Sequence, residues 1–211
     1  MTTKRQVVSI PSNEGVILQG QFIDVSTKTG VVLCHPHPLY GGSMENNVLF
    51  AAEESLVSLG MSCLRFNFRG VGKSTGRFGK GIEEAYDVIS ACTFVRETNP
   101  EMQVHVVAYS FGVFAFLHAT SRGLHVDSSV LVSPPLSAMD FTDLLVPQTR
   151  TAVIVGDRDE YCHQNQLDEW LNNQPGGLLR TQKFILEDTD HFYSGSESEI
   201  KNSLVAFFSH G

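Results

Sequence analysis

The sequence predicts an α/β chain: a mostly parallel eight-stranded sheet that opens with an antiparallel hairpin and carries helices on both faces. Two observations lead there. Short apolar, β-branched runs alternate with segments whose apolar residues recur at helical spacing. No internal repeat or low-complexity linker interrupts that alternation. With 211 residues, 42% of them hydrophobic and 18% charged, the chain suits a substantial core, and residues 1–211 are expected to fold as a single domain.

Gln6–Ile10 and Val16–Val25 are alternating runs split by the turn sequence Pro11-Ser12-Asn13-Glu14-Gly15, which makes the hairpin. Val31–Cys34 is a continuous apolar strand. It ends in His35-Pro36-His37-Pro38-Leu39-Tyr40-Gly41-Gly42-Ser43, where prolines and glycines forbid both helix and ladder pairing and leave a shaped loop. Val48, Ala52, Leu56 and Leu59 mark a first helix, stopped by Gly60. Strand character resumes over Met61–Phe68 and gives way to Arg69-Gly70-Val71-Gly72-Lys73-Ser74-Thr75-Gly76. A P-loop needs four residues between its first Gly and Gly-Lys, so a structural loop is expected here instead. Ile82, Ala85, Ile89 and Cys92 give a second helix, closed by Asn99-Pro100.

The next strand begins at Val104 and stops at Ala108-Tyr109-Ser110-Phe111-Gly112, and the apolar segment Val113–Ala119 follows at once. Strand, sharp turn and helix in immediate succession are expected to hold Ser110 in a strained and exposed position above the amides of a helix N-terminus. Ala108 and Gly112 are small because strand and helix nearly touch there. A small-x-Ser-x-Gly pattern is weak alone; the strand before it and the helix after it give it weight. With no polar face, that helix belongs in the middle of the domain.

Ser129–Val132 and Thr151–Val155 are further strands, the second ending at Gly156-Asp157-Arg158-Asp159. The interval Ser133–Arg150 between them has room for at most a short helical turn around Asp140–Leu145, so no lid domain is expected. Leu167, Trp170 and Leu171 mark another helix, broken by Pro175-Gly176-Gly177, and Lys183–Leu186 is the last strand. After Asp190-His191-Phe192, a capping box of Ser196 and Glu199 opens a terminal helix bearing Ile200, Leu204, Phe207 and Phe208. Ligands of such sheets sit at the carboxyl ends of the strands, where the His35 loop, Ser110, Asp159 and His191 are all predicted.

These residues resemble the α/β-hydrolase superfamily over nearly the whole chain. The elbow and the order Ser, then Asp or Glu, then His characterise that superfamily, and the order here is Ser110, Asp159, His191. His-Pro-His-Pro-Leu-Tyr-Gly-Gly-Ser-Met, followed by Arg-Phe-Asn-Phe-Arg-Gly-Val-Gly-Lys-Ser, is similar to small lidless hydrolases described as dienelactone-hydrolase-like or serine-aminopeptidase-like. One departure stands out: dienelactone hydrolases use a cysteine nucleophile, and this elbow has Ser110. The resemblance implies the α/β-hydrolase fold and a serine hydrolase that cleaves an ester, thioester or small amide through an acyl-serine intermediate, carboxylesterase- or thioesterase-like, with peptidase action open.

An alcohol is a poor nucleophile near neutral pH, so Ser110 needs a base, and His191 is the only histidine on a loop after the last strand. Asp157, Asp159 and Asp190 are all candidates for the carboxylate that orients it. Asp190 adjoins the histidine, and neighbouring side chains of an extended segment point apart. Asp157 directly follows Gly156, where it more naturally begins the turn. Asp159 can lean over the sheet edge, and the family's Gly-x-x-Asp pattern implies the same position. For the oxyanion, the family implies the Phe111 N–H and one donor from the His35 loop. His37 is chosen because Pro36 and Pro38 have no N–H. Tyr40, Tyr109 and Phe192 are expected to bind substrate along the pocket wall.

Other readings are set against this one. His35 and His37 form an H-x-H pair of the kind zinc uses, without a third ligand, and adjacent Cys162 and His163 seldom point the same way, so no metal and no cofactor is expected. Cys34, Cys63, Cys92 and Cys162 are scattered and read as buried thiols rather than disulfides. A net charge of -8 without a dense Lys/Arg run argues against nucleic acid. No apolar run approaches bilayer length, and Met-Thr-Thr-Lys-Arg-Gln does not lead into a signal-peptide core. The expectation is a cytoplasmic enzyme with a small-molecule acyl substrate and no membrane partner; the oligomeric state stays open. The alternative of a different class is a noncatalytic binding or scaffold protein that keeps the hydrolase fold. Against it stand Ser110, Asp159 and His191 together, which a binding role would not demand. Dehalogenases and epoxide hydrolases need a carboxylate at the elbow, and the serine excludes them.

Overall fold

The computed structural model describes residues 4–26, 28–176 and 181–209. Met1–Thr3 of the leading stretch and Gly177 of the expected helix breaker lie outside the described residues. The alternating runs at the start form strands β1 (Lys4–Pro11) and β2 (Ile17–Asp24), an antiparallel hairpin. The later strand runs form β3 (Thr29–Cys34), β4 (Ser62–Phe66), β5 (Gln103–Tyr109), β6 (Ser128–Val132), β7 (Arg150–Gly156) and β8 (Thr181–Leu186). All eight join one sheet in the order β1-β2-β4-β3-β5-β6-β7-β8. Pairing is antiparallel as far as β2 against β4 and parallel from there on.

Five helices cover the sheet: α1 (Asn47–Ser58), α2 (Glu84–Thr98), α3 (Phe111–Ser121), α4 (Gln164–Asn172) and α5 (Glu197–Ser209). Successive side chains of a strand point to opposite faces, so a strand covered on both sides must be apolar throughout. In β5, Val104, Val106 and Ala108 pack with α2, α3 and α4, whereas Val107 and Tyr109 pack with α1 and α5. Helix α3 is apolar all round because it lies in the larger of these two clusters, and seven of its residues in succession, Phe111 to Leu117, are buried. All four cysteines are free and buried, and burial pushes the Cys34, Cys63 and Cys162 thiols up and that of Cys92 to about 12.

The glycine-rich segment after β4 is held by its own hydrogen bonds. Gly70 N donates to Thr75 O (3.0 Å), Thr75 N to Ile17 O (2.9 Å), and the Arg69 guanidinium clasps buried Asp87 of α2 (2.8 Å). Two expectations are corrected. Helix α2 begins at Glu84 rather than Ile82, because Lys80 and Gly81 turn the chain at positive φ and the Glu84 carboxylate accepts from Gly79 N and Gly81 N (both 2.7 Å); Ile82 is left exposed. The capping box at Ser196 does not form. The Ser196 hydroxyl accepts from Thr189 (3.0 Å) and Glu199 accepts from Ser198 (2.8 Å), so neither side chain caps the helix. Between β6 and β7 the chain makes only turns, with no helix and no lid. No helix of the described residues is long and apolar enough to cross a membrane.

Candidate active site

Ser110 stands between β5 and α3 at φ 54 and ψ −120, and it is buried rather than exposed as expected, with the His191 ring against its hydroxyl. A non-glycine residue at positive φ costs about 1–3 kcal/mol and persists only where its surroundings hold it. Here Ser110 N continues the β5–β6 ladder by donating to Val132 O (2.8 Å), and α3 begins at the next residue. Gly112 makes the turn feasible: a Cβ there would stand 2.5 Å from the Cys34 carbonyl oxygen. The close approach is therefore to the end of β3, the neighbouring strand, rather than to β5 as expected.

The loop after β8 brings His191 to the same edge. It lies so close over the end of β7 that a Cβ on Gly156 would meet Thr189 O at 2.0 Å. His191 Nε2 stands 2.9 Å from Ser110 Oγ, and its Nδ1 lies 2.9 and 3.0 Å from the two Asp159 carboxylate oxygens. Asp159 Oδ1 also accepts from Tyr161 N and Cys162 N (both 2.9 Å), and Oδ2 accepts from the Ser133 hydroxyl (2.5 Å). Burial alone would raise the Asp159 carboxyl, but the hydrogen bond and charge of His191 and the bonds from Ser133 and Tyr161 N hold it below the usual carboxylate range. The two rejected carboxylates are otherwise employed: Asp157 accepts from Thr189 N (3.2 Å), and Asp190 from Phe192 N (2.9 Å) and Tyr193 N (3.2 Å).

Several supports of this arrangement have no signal in the sequence. The Tyr109 hydroxyl donates to the His191 carbonyl (2.7 Å), so its polar end is committed to the histidine loop while the residue borders the groove. Asn47, at the start of α1, donates to Phe192 O (3.1 Å) and Glu197 (3.0 Å), tying that loop to two helices. Tyr161 sets its ring at 4.7 Å from that of His191. Ser133 and Tyr193, both fully buried at positive φ, meet behind Asp159. Nothing in residue spacing announces these contacts, and Tyr109, singled out above for the pocket wall, was not expected to hold the histidine loop.

The His35 loop closes the other side. His35 is fully buried; its Nδ1 lies 2.6 Å from Pro36 O and its Nε2 accepts from Phe68 N (3.0 Å), which makes it a neutral clasp. Neither ring nitrogen is left for zinc, and the H-x-H reading fails on that geometry. The Arg-Phe-Asn-Phe-Arg stretch supports the loop's far end: buried Arg65 pairs with Glu53 (2.7 Å) and donates to Met44 O (2.6 Å), while Asn67 accepts from Met44 N (2.8 Å). Within the loop, Leu39 N donates to the His37 ring, and Tyr40 N and Gly42 N donate to His37 O. His37 is anchored by ring contacts with Tyr40, Phe78 and Phe111. Ser110, His191, His37 and Phe111 line one groove of about 790 Å³, together with Tyr40, Tyr109, Tyr161 and Phe192. Pro135, Ala138 and Met139 supply part of its wall, and among the described residues no Lys, Arg, Asp or Glu lines it.

No protein-family model matches the chain. An α/β serine hydrolase without a lid from Xanthomonas campestris superposes with a TM-score of 0.88, is 27% identical, and is matched over 96% of its length by 100% of this chain. The chain has the α/β-hydrolase fold. A serine hydrolase homologue from Coxiella burnetii matches this chain with a TM-score of 0.84 at 27% identity, covering 98% of this chain and 97% of the other. An esterase from Pyrococcus furiosus, at 19% identity and a TM-score of 0.83 over 99% of this chain and 92% of its own, shares the fold. In sequence, an uncharacterised protein of Rickettsia prowazekii (strain Madrid E) is 28% identical over 196 residues, 89% of this chain and 82% of the other.

Proposed function

We propose that this α/β-hydrolase is a serine hydrolase that cleaves an ester, thioester or small amide through an acyl-serine intermediate. The observation that carries this is the unbroken contact from Ser110 Oγ through His191 to Asp159, at 2.9 Å on each side of the imidazole. In the first half-reaction Ser110 Oγ attacks the carbonyl carbon while His191 Nε2 takes the hydroxyl proton. Asp159 accepts from Nδ1–H, fixing the tautomer and stabilising the imidazolium. The oxyanion accepts from the N–H groups of Phe111 and His37. His191 then gives its proton to the leaving group, and water, activated by the same base, releases the acid and regenerates Ser110. The choice of His37 is supported by its place on the groove wall and by the engagement of Leu39 N, Tyr40 N and Gly42 N elsewhere.

Fluorophosphonate labelling tests the reading. The parent is expected to label and Ser110→Ala to take no label. A folded parent that stays unlabelled would favour the noncatalytic binding protein instead. The groove also bears on chain length. Tyr40 and Phe192 are well exposed at its rim, with 87% and 54% of their surface in solvent, and no lid covers them. A long acyl chain would gain little burial, so kcat/KM for p-nitrophenyl esters is expected to level off beyond short acyl groups, since each methylene left in water forgoes about 0.8 kcal/mol. A steady rise toward dodecanoate would contradict this.

A further inference from the structure

Two hydroxyls behind Asp159 play no part in the acyl-transfer steps above. We propose that Ser133 and Tyr193 form a hydroxyl relay that fixes the Asp159 carboxylate and moderates its charge toward His191, so that both are positioning residues of the Ser110 site. This rests on the roles given above to Asp159 and His191.

The direction of each bond is forced. An ionised carboxylate only accepts, so the Ser133 hydroxyl donates to Asp159 Oδ2 at 2.5 Å. Its proton spent, Ser133 Oγ accepts from the Tyr193 hydroxyl, also at 2.5 Å, and the other acceptor near Tyr193, Ile154 O, is distant at 3.4 Å. The other carboxylate oxygen is held by the Tyr161 and Cys162 amides. Asp159 is therefore gripped from both sides and presents its face to His191 Nδ1. The ionisable neighbours Tyr109 and Cys162 keep their protons, burial pushing both up, and do not titrate with it.

Backbone geometry adds an independent observation. Ser133 (φ 47) and Tyr193 (φ 57) come from different loops, after β6 and after β8, and each holds a non-glycine residue in the left-handed region. Ser133 N donates to Ile154 O (2.8 Å), so the β6–β7 ladder sets its backbone, a place glycine would fill with less strain. What serine adds there is the hydroxyl, and it meets the one polar side-chain atom of Tyr193 with both residues wholly buried.

The test is therefore Ser133→Gly, which removes the hydroxyl and relieves the backbone. On p-nitrophenyl acetate, kcat is expected to fall about 10-fold with KM within about twofold. Without a donor on Oδ2 the carboxylate stabilises the imidazolium more strongly, so the acid limb of the kcat/KM profile should move upward by about half a pH unit. Tyr193→Phe should shift both readouts in the same direction by less. Because Tyr193 acts through Ser133, the double variant should be no worse than Ser133→Gly. A parental pH profile and kcat in Ser133→Gly, or additive losses in the double variant, would overturn the relay. Should Ser133→Gly fail to fold in urea titrations, Tyr193→Phe decides alone, and an unmoved acid limb there rejects it. A parent that takes no fluorophosphonate label overturns the acyl-serine reading and the relay with it; a labelled parent with indifferent variants overturns the relay only.

Discussion

Asp159→Asn is expected to lower kcat about 10⁴-fold while leaving KM near the parental value. The carboxylate offers only acceptors, and at present one oxygen takes the Tyr161 and Cys162 amides while both face His191 Nδ1. In the asparagine variant the amide oxygen still satisfies those backbone donors, so the loop after β7 keeps its shape. Its NH₂ group then faces Nδ1 and Ser133. A donor opposite Nδ1 selects the tautomer with the proton on Nε2, and a protonated Nε2 cannot accept from Ser110. Turnover is therefore lost with little loss of structure. Urea titrations beside steady-state kinetics separate the two, and Asp157→Asn and Asp190→Asn serve as comparisons. If either of those proved the more damaging change, Asp159 would not be the orienting carboxylate.

The second large effect concerns acid. Between pH 7 and pH 4 the protein is expected to lose about 3 kcal/mol of stability through His35 alone. Burial lowers this imidazole from 6.5 to about 4, against the opposing hydrogen bond to Pro36 O, with the charge of His37 adding a smaller lowering. The bond accepted from Phe68 N also requires a bare Nε2. An unfolded chain binds the proton from about pH 6.5 downward, whereas the folded one refuses it until about pH 4. Over that interval the unfolded state holds more protons, so the stability contribution is whole above 6.5 and disappears as pH falls through 4. His35→Gln, whose amide keeps one donor and one acceptor, should flatten this part of the dependence when unfolding free energies are compared at pH 7 and pH 4. Parallel losses in parent and variant would show that another group is responsible.

Much of this was legible in the residues themselves. Period and punctuation decide strands and helices locally: continuous apolar runs at β3 and β5 follow from burial on both faces, and an all-apolar α3 follows from its central place. The Ser110 elbow was legible because a strained turn demands small residues at fixed offsets, and because Gly112 has only one use there. Asp159 and His191 could be expected near Ser110 because each lies on a loop that follows a strand of a parallel sheet, at its carboxyl edge. Boundaries set by side chains reaching across the fold were not legible. Glu84 starts α2 by accepting two loop amides, and Ser196 forsakes its helix for Thr189; both choices depend on partners that sequence distance conceals. The same holds for Ser133 and Tyr193, sixty residues apart, and for His35, whose bond from Phe68 N no local pattern announces. The sequence alone determined most of the elements that form and the sheet edge at which Ser110, Asp159 and His191 lie, since those depend on periodicity and chain order. Only the tertiary structure decided which polar atoms face one another there, because a hydrogen bond is satisfied within about 3 Å and no local pattern encodes a distance between loops.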